Sequence, residues 1–333
     1  MRALVYLGPR RMELQDVPEP SPAPGEVRVR VRASAICGSD LHGFREASPR
    51  RVPPLVMGHE VVGGIDAVGD DVDPSVLGSR VVAMPLVSCG ACPRCLEGRP
   101  NLCPQRRLMG MSFPGAFAEA FTIPVTHVMA MPEDLADEPG ALIEPLANAV
   151  HTVQRSVRPG DDVLVIGAGA IGLFAARTAL LDGARRAFVV DKLADRLALA
   201  AALGAEPLAA EGASDALAEA TSGAGVDVVI DAVGLPSTWE LALTAVRFGG
   251  RIEAVGLGAP EGPLAYQTLI AKGATVVGSY ACLPADFARA RRLLAFGDVD
   301  VSSWITQFSL SEGQAAFEAL ADGAAHTKVV LVP

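Results

Sequence analysis

The rhythm of apolar and polar positions changes once along the chain. Up to about residue 130 its period is two. Val27-Arg-Val-Arg-Val-Arg32 alternates strictly, as a strand with one buried face does. Pro18, Pro20, Pro22 and Pro24 precede it as a stiff connector. The opening residues read as a strand ending in a turn. From about residue 140 unbroken apolar runs take over. Residues 141–153 predict a helix, and Asp162-Val-Leu-Val-Ile-Gly167 a buried strand. An Ala-rich helix over 171–181, a strand over 187–191 and a helix over 195–203 follow. Strands are expected again at 226–231, 250–256 and 274–278. Strands alternating with helices imply parallel pairing and right-handed crossovers. The tail is mixed: helices at 287–296 and 313–320, strands at 308–310 and 328–333.

Composition narrows this picture. A chain of 333 residues, half of them apolar, is long enough for two α/β-type cores. The net charge of −10, with no long Lys/Arg run, argues against a nucleic-acid partner. The longest uncharged run, 163–176, is shorter than the roughly 20 residues of a membrane span. The apolar part of the start is too short for a signal peptide, so a cytoplasmic location is expected. In that compartment clustered cysteines favour metal over disulfide.

Cys89, Cys92, Cys95 and Cys103 form a C-x2-C-x2-C-x7-C cluster, able to close a tetrahedral shell around one structural zinc. A closed shell has no position for substrate, so the chemistry must lie elsewhere. Cys37-Gly-Ser39-Asp40-Leu-His42 follows the alternating strand, Gly58-His59-Glu60-Val-Val-Gly63 comes some twenty residues later, and Ile143-Glu144-Pro145 opens the helical part. Cys37, His59, Glu60 and Glu144 offer a thiolate, an imidazole and two carboxylates, a set suited to a catalytic zinc. Zinc with one thiolate, one neutral His and one carboxylate is formally neutral and keeps its Lewis acidity. A second direct carboxylate would weaken that, so one of Glu60 and Glu144 is expected to bind through water or to exchange. Taken singly, Cys37 reads equally as a small buried residue and His59 as a satisfied core histidine. Arg45, Arg50 and Arg51 read as a solvated basic loop.

Gly167-Ala-Gly169-Ala170-Ile171-Gly172 lies between a strand and a helix, as a pyrophosphate-binding loop does. Asp191 closes the next strand, where a carboxylate accepts from ribose hydroxyls and repels a 2′-phosphate; NAD is therefore expected over NADP. Lys192 and Arg196, close by, are the groups that would accept such a phosphate.

In their order and spacing these motifs resemble the zinc-dependent medium-chain dehydrogenase/reductase family, which includes alcohol, polyol and threonine dehydrogenases. The resemblance covers essentially the whole chain and implies an α/β fold. A GroES-like β-rich catalytic domain would comprise residues 1–148 and 282–333, with a zinc lobe at about 88–104. A Rossmann domain with a doubly wound parallel sheet would be inserted at 149–281. Two zinc ions per subunit and a homodimer or homotetramer are implied. So is an NAD-linked oxidation of a small secondary alcohol, with no membrane or nucleic-acid partner. Cys37 and His59 are similar to the family's catalytic zinc ligands, and Glu60 and Glu144 to the positions that supply the rest in the polyol and threonine branches. Asp40 resembles the carboxylate that orients the zinc-bound histidine, Ser39 and His42 the proton relay, and Asn148 a nicotinamide-side contact. Ser279-Tyr280 departs from the Arg-Tyr pair of sorbitol-type enzymes and puts sorbitol itself in doubt. A zinc-free quinone or enoyl reductase and a non-catalytic NAD sensor are the rival readings.

Overall fold

In a computed structural model, which describes residues 1–324 and 326–333, the chain divides into two compact units. One comprises Met1–Glu144 with Leu283–Pro333, the other Pro145–Cys282.

The first unit is built on the long strand Glu26–Ala35. Its valines Val27, Val29 and Val31 are buried, while Arg28, Arg30 and Arg32 face outward. Val27, Val29 and Val31 pack with Val61, Ile65, Val81 and Ile123, and the three arginines pair with Glu19, Asp66 and Asp137. The strand is antiparallel to Glu60–Val68 on one side. On the other it meets Ala120–Pro124 along its first half and the late strand Lys328–Val332 near its end. The register sets the site. Ala35 faces Glu60 on one neighbour and Val330 on the other, which carries Lys328 to the level of Cys37. The helix Gly38–Arg45 starts there, anchored by the fully buried Phe44 against Phe317.

The second unit is a six-stranded parallel sheet. Its order is Glu206–Ala209, Arg186–Asp191, Asp162–Ile166, Val226–Asp231, Val246–Ala254, Thr275–Gly278. The sequence order reverses outward from Asp162–Ile166, the doubly wound arrangement whose switch point takes dinucleotides. Asp162–Ile166 is buried throughout, as a central parallel strand must be.

Periodicity misses some elements. Glu206–Ala209 is a mostly exposed edge strand containing Pro207, so it carries neither alternation nor an apolar run. The helices Ala213–Ala220, Pro236–Ala245 and Tyr266–Lys272 are also absent from the pattern reading. Tyr266–Lys272 buries no residue, so its sequence carries no core stripe.

Candidate active site

Each piece of the first constellation is placed by a different element. Cys37 caps the helix Gly38–Arg45, and Asp40 in its first turn accepts the Cys37 N–H at 3.2 Å. Gly58, at φ +94°, turns the chain into His59, and Glu60 begins the strand Glu60–Val68. One donor atom each from Cys37, His59 and Glu60 lies within 4.8 Å of the others. Glu144, in the first turn of Ile143–Ser156, is buried and acts electrostatically on Lys328, but its carboxylate lies outside that mutual set.

Two cations that pattern reasoning left aside reach this group. Lys328 Nζ donates to Glu60 Oε1 at 2.8 Å and to the Ile36 carbonyl at 3.0 Å. Burial lowers the Lys328 pKa, but Glu60, Cys37 and Glu144 outweigh it and raise the net value. Arg51 is not a solvated loop residue. It is 5% exposed and donates from Nη2 to Asp40 Oδ1 at 3.0 Å and to Ser39 Oγ at 3.1 Å. The signal for Lys328 was a charged residue heading the apolar run Lys328-Val-Val-Leu-Val; Arg51 gave none.

Asp40 is fully buried, with Oδ1 3.5 Å from His59 Nδ1. Burial raises its pKa, but His59 and Arg51 draw it below the usual carboxylate range. His59 is the converse: burial lowers its pKa, and Asp40 and Cys37 raise it well above the ordinary value. His42, on the same helix as Ser39, is pushed below the ordinary imidazole pKa by burial and then by Arg45 and Arg51.

The donors fit a divalent zinc. His59 Nδ1 faces Asp40 and Glu60 Oε2 faces Lys328, so each ligand is held by a charged neighbour on the side of one of its polar atoms. Within the buried group the carboxyl groups of Asp40, Glu60 and Glu144 gather around the two cations Arg51 and Lys328, acidic surroundings that suit a 2+ ion. Cys37, His59 and Glu60 are a mixed S/N/O set of the kind that leaves a coordination position open.

The cysteine lobe differs. All four thiols lie within 4.8 Å of one another, with Sγ–Sγ separations of 3.9 Å (Cys89–Cys95), 3.5 Å (Cys92–Cys95) and 3.5 Å (Cys89–Cys103). A tetrahedral shell with Zn–S near 2.3 Å has edges of about 3.8 Å, so zinc fits. Backbone N–H groups of Ala91 and Cys92 lead in lowering the Cys89 pKa to about 6.

In the second unit the glycine loop has three distinct environments. Gly167 takes φ +96°. A Cβ on Gly172 would lie 1.8 Å from the Gly167 carbonyl oxygen, so the helix packs on the turn. A Cβ on Gly169 would meet nothing within 4 Å, leaving open space at the N-cap of Ala170–Leu181, where a pyrophosphate would approach. Ala170, Ile171 and Gly172 form that helix's first turn. Asp191 accepts from Ala168 N–H at 2.7 Å and Leu193 N–H at 2.9 Å, tying the loop to the next strand. Lys192 is exposed, and Arg196 is half-buried with its Nε unpartnered. Asn148 lies on Ile143–Ser156, where its carbonyl accepts from Thr152 Oγ1. Ser279 Oγ meets Thr152 Oγ1 at 2.8 Å.

Both units have known counterparts. Residues 23–133 match the alcohol dehydrogenase GroES-like domain, and residues 170–295 match the zinc-binding dehydrogenase family. L-threonine 3-dehydrogenase of Pectobacterium atrosepticum is 34% identical over 97% of this chain and 92% of its own length. Alcohol dehydrogenase TADH from Thermus sp. ATN1 superposes with a TM-score of 0.92 at 33% identity, covering 100% of this chain and 99% of its own. Galactitol-1-phosphate dehydrogenase from Escherichia coli gives 0.93 at 28% identity, with full coverage of both chains. The chain belongs to the zinc-dependent medium-chain dehydrogenase family. It is an NAD-linked zinc oxidoreductase acting on secondary alcohols.

Proposed function

We propose that the substrate is a small amino alcohol with a secondary hydroxyl, of the L-threonine type, oxidised to the ketone. The observation that carries the chemistry is the meeting of Cys37, His59 and Glu60 beside the helix that bears Ser39, Asp40 and His42. The similarity to L-threonine 3-dehydrogenases over nearly the full length supports the substrate class.

When bound, zinc supplies the Lewis acidity that lowers the pKa of an alcohol hydroxyl, and NAD supplies the hydride acceptor. Cys37, His59 and Glu60 would hold the metal, and Glu144, buried near Lys328, is the second carboxylate that would reach it through water or by exchange with Glu60. Asp40 keeps the imidazole of His59 oriented. Ser39 takes the alcohol proton. His42, held neutral by burial and by Arg45 and Arg51, receives it on the way to solvent. Gly167, Gly169, Ala170, Ile171 and Gly172 cradle the pyrophosphate, Asp191 binds the adenosine ribose and selects NAD over NADP, Lys192 and Arg196 flank that ribose, and Asn148 contacts the nicotinamide half. Cys89, Cys92, Cys95 and Cys103 hold a structural zinc.

The enzyme works in the cytoplasm as a homodimer or a dimer of dimers. Among the described residues the strand Thr275–Gly278 has one neighbour, and the helix before it exposes Tyr266 and Ile270. A second copy pairs along that edge. Among the described residues no helix is long and apolar enough to cross a membrane.

The test is NADH formation by the zinc-loaded protein with L-threonine, a 2,3-diol, a polyol and 2-propanol. The expected result is the highest kcat/KM with L-threonine, with turnover lost and NADH binding kept in Cys37→Ser. A higher kcat/KM with the polyol or diol overturns the substrate class. Reduction of NAD by none of them overturns the dehydrogenase reading.

A further inference from the structure

Arg51 stands out among the buried charges because no step of the reaction described above uses it directly. Its guanidinium is almost fully buried, and one nitrogen, Nη2, spends its two hydrogens on two different residues. One goes to Asp40 Oδ1 at 3.0 Å, the other to Ser39 Oγ at 3.1 Å. The fit is tight. A Cβ on Gly43 would lie 2.4 Å from Arg51 Cδ, so the helix has a glycine where the arginine stem crosses it. Arg51 Nε is buried with no partner. The fold therefore strands a donor, and neutralising Asp40 does not by itself call for that.

The contact with Ser39 gives the arrangement its chemical sense. A serine hydroxyl has one hydrogen and two lone pairs. A hydroxyl that relays a proton must accept from the alcohol and donate onward. The remaining lone pair must be filled, or the group rotates and the relay loses its direction. Arginine carries donors only, so Ser39 cannot turn its hydrogen toward it.

We propose that Arg51 is a positioning residue for proton removal: by occupying one lone pair of Ser39 Oγ it fixes the direction of the Ser39 hydroxyl. The inference rests on the relay role given to Ser39 above. The balance is simple. The alcohol O–H breaks as a new O–H forms on Ser39, Ser39 releases its own proton toward His42, and the carbinol hydride goes to NAD. Arg51 gains and loses nothing.

The experiment is a double-mutant cycle on the zinc- and NAD-loaded enzyme using Arg51→Met, which keeps the stem over Gly43, and Ser39→Ala. Steady-state rates are read in H2O and D2O, with zinc content and NADH-binding fluorescence measured alongside. Arg51→Met alone is expected to lower kcat roughly tenfold to a hundredfold, with KM changed far less, and to enlarge the solvent isotope effect. On the Ser39→Ala background the same change is expected to cost less than about threefold, because the group it acts through is gone. Arg51→Lys, which restores a donor, is expected to recover part of kcat; if Arg51→Met does not fold, Arg51→Leu, which also lacks a donor, replaces it in the cycle. An equal cost of the Arg51 change in both backgrounds overturns the proposal, since Arg51 then acts through Asp40 alone. Loss of one zinc in the Arg51 variant overturns it too. Full activity in Ser39→Ala would instead sink the relay reading, a different failure from an impaired Ser39→Ala beside an unaffected Arg51→Met.

Discussion

The first unit contains two clusters of metal-ligand residues built on opposite plans. The lobe takes four identical donors from one short stretch, and backbone N–H groups of the same stretch polarise the sulfurs. The other cluster takes unlike donors from separate segments, at Cys37, at His59–Glu60 and, as we propose, at Glu144. It surrounds them with the ion pairs Arg51–Asp40 and Lys328–Glu60. A closed shell of four thiolates needs no outside charge to fix it. A shell with an open position carries carboxylates that must be held when the metal does not hold them, and counter-charges from distant strands do this.

Breaking each cluster in turn sharpens the contrast. The largest expected effect is Cys37→Ser. Turnover should fall on the order of 10³-fold or more, since several kcal/mol of Lewis-acid stabilisation is lost, while metal analysis still finds the lobe zinc. Cys103→Ser should do the reverse. Its sulfur is fully buried, so its loss should empty the lobe and lower the melting midpoint by roughly 10 °C, with the second zinc retained. Loss of both metals in either variant would show that the two clusters are one cooperative structure.

Lys328→Met leaves Glu60 buried without its partner. Breaking such a pair costs about 3–5 kcal/mol, readable by denaturant unfolding of the metal-free protein. A loss below about 1 kcal/mol would mean that the carboxylate has another anchor. Asp40→Asn keeps the shape and removes the charge that faces His59. It should weaken zinc at the mixed cluster by roughly 10–100-fold in competition with a chelator, and leave the lobe zinc unmoved.

The smallest effect concerns pH. The pKa of His42 is lowered from 6.5 by burial, Arg45 and Arg51, so the folded chain binds its proton less readily than the unfolded chain does. Stability and proton acceptance should therefore hold above 6.5 and decline as pH falls from there through the lowered value. The acid limb of kcat/KM should lie below 6.5 and vanish in His42→Ala. An acid limb above 6.5 would assign it to another group.

The same contrast explains what the sequence made legible. The cysteine spacing is a local fact, and so is the glycine loop with Asp191, whose carboxylate bonds Ala168 in the structure. Cys37-x-Ser39-Asp40 and His59-Glu60 were visible because each sits in one short motif. Lys328 and Arg51 were not. Lys328 acts on a residue 268 positions away, through a strand register that no local pattern encodes. Arg51 lies among polar residues and prolines that read as loop. Only the fold shows its stem crossing Gly43. The edge strand Glu206–Ala209 and the exposed helix Tyr266–Lys272 were missed because neither buries the stripe that periodicity detects.

The ion pair between Glu60 and Lys328 has a bearing on biosynthesis. A ribosome makes the acid long before the base, and the entire dinucleotide-binding unit is translated in between. Until Lys328 emerges, the β-rich unit has a charge at its heart that it cannot bury. That nascent half should stay open, susceptible to proteases and chaperones, while the nucleotide-binding half completes itself first.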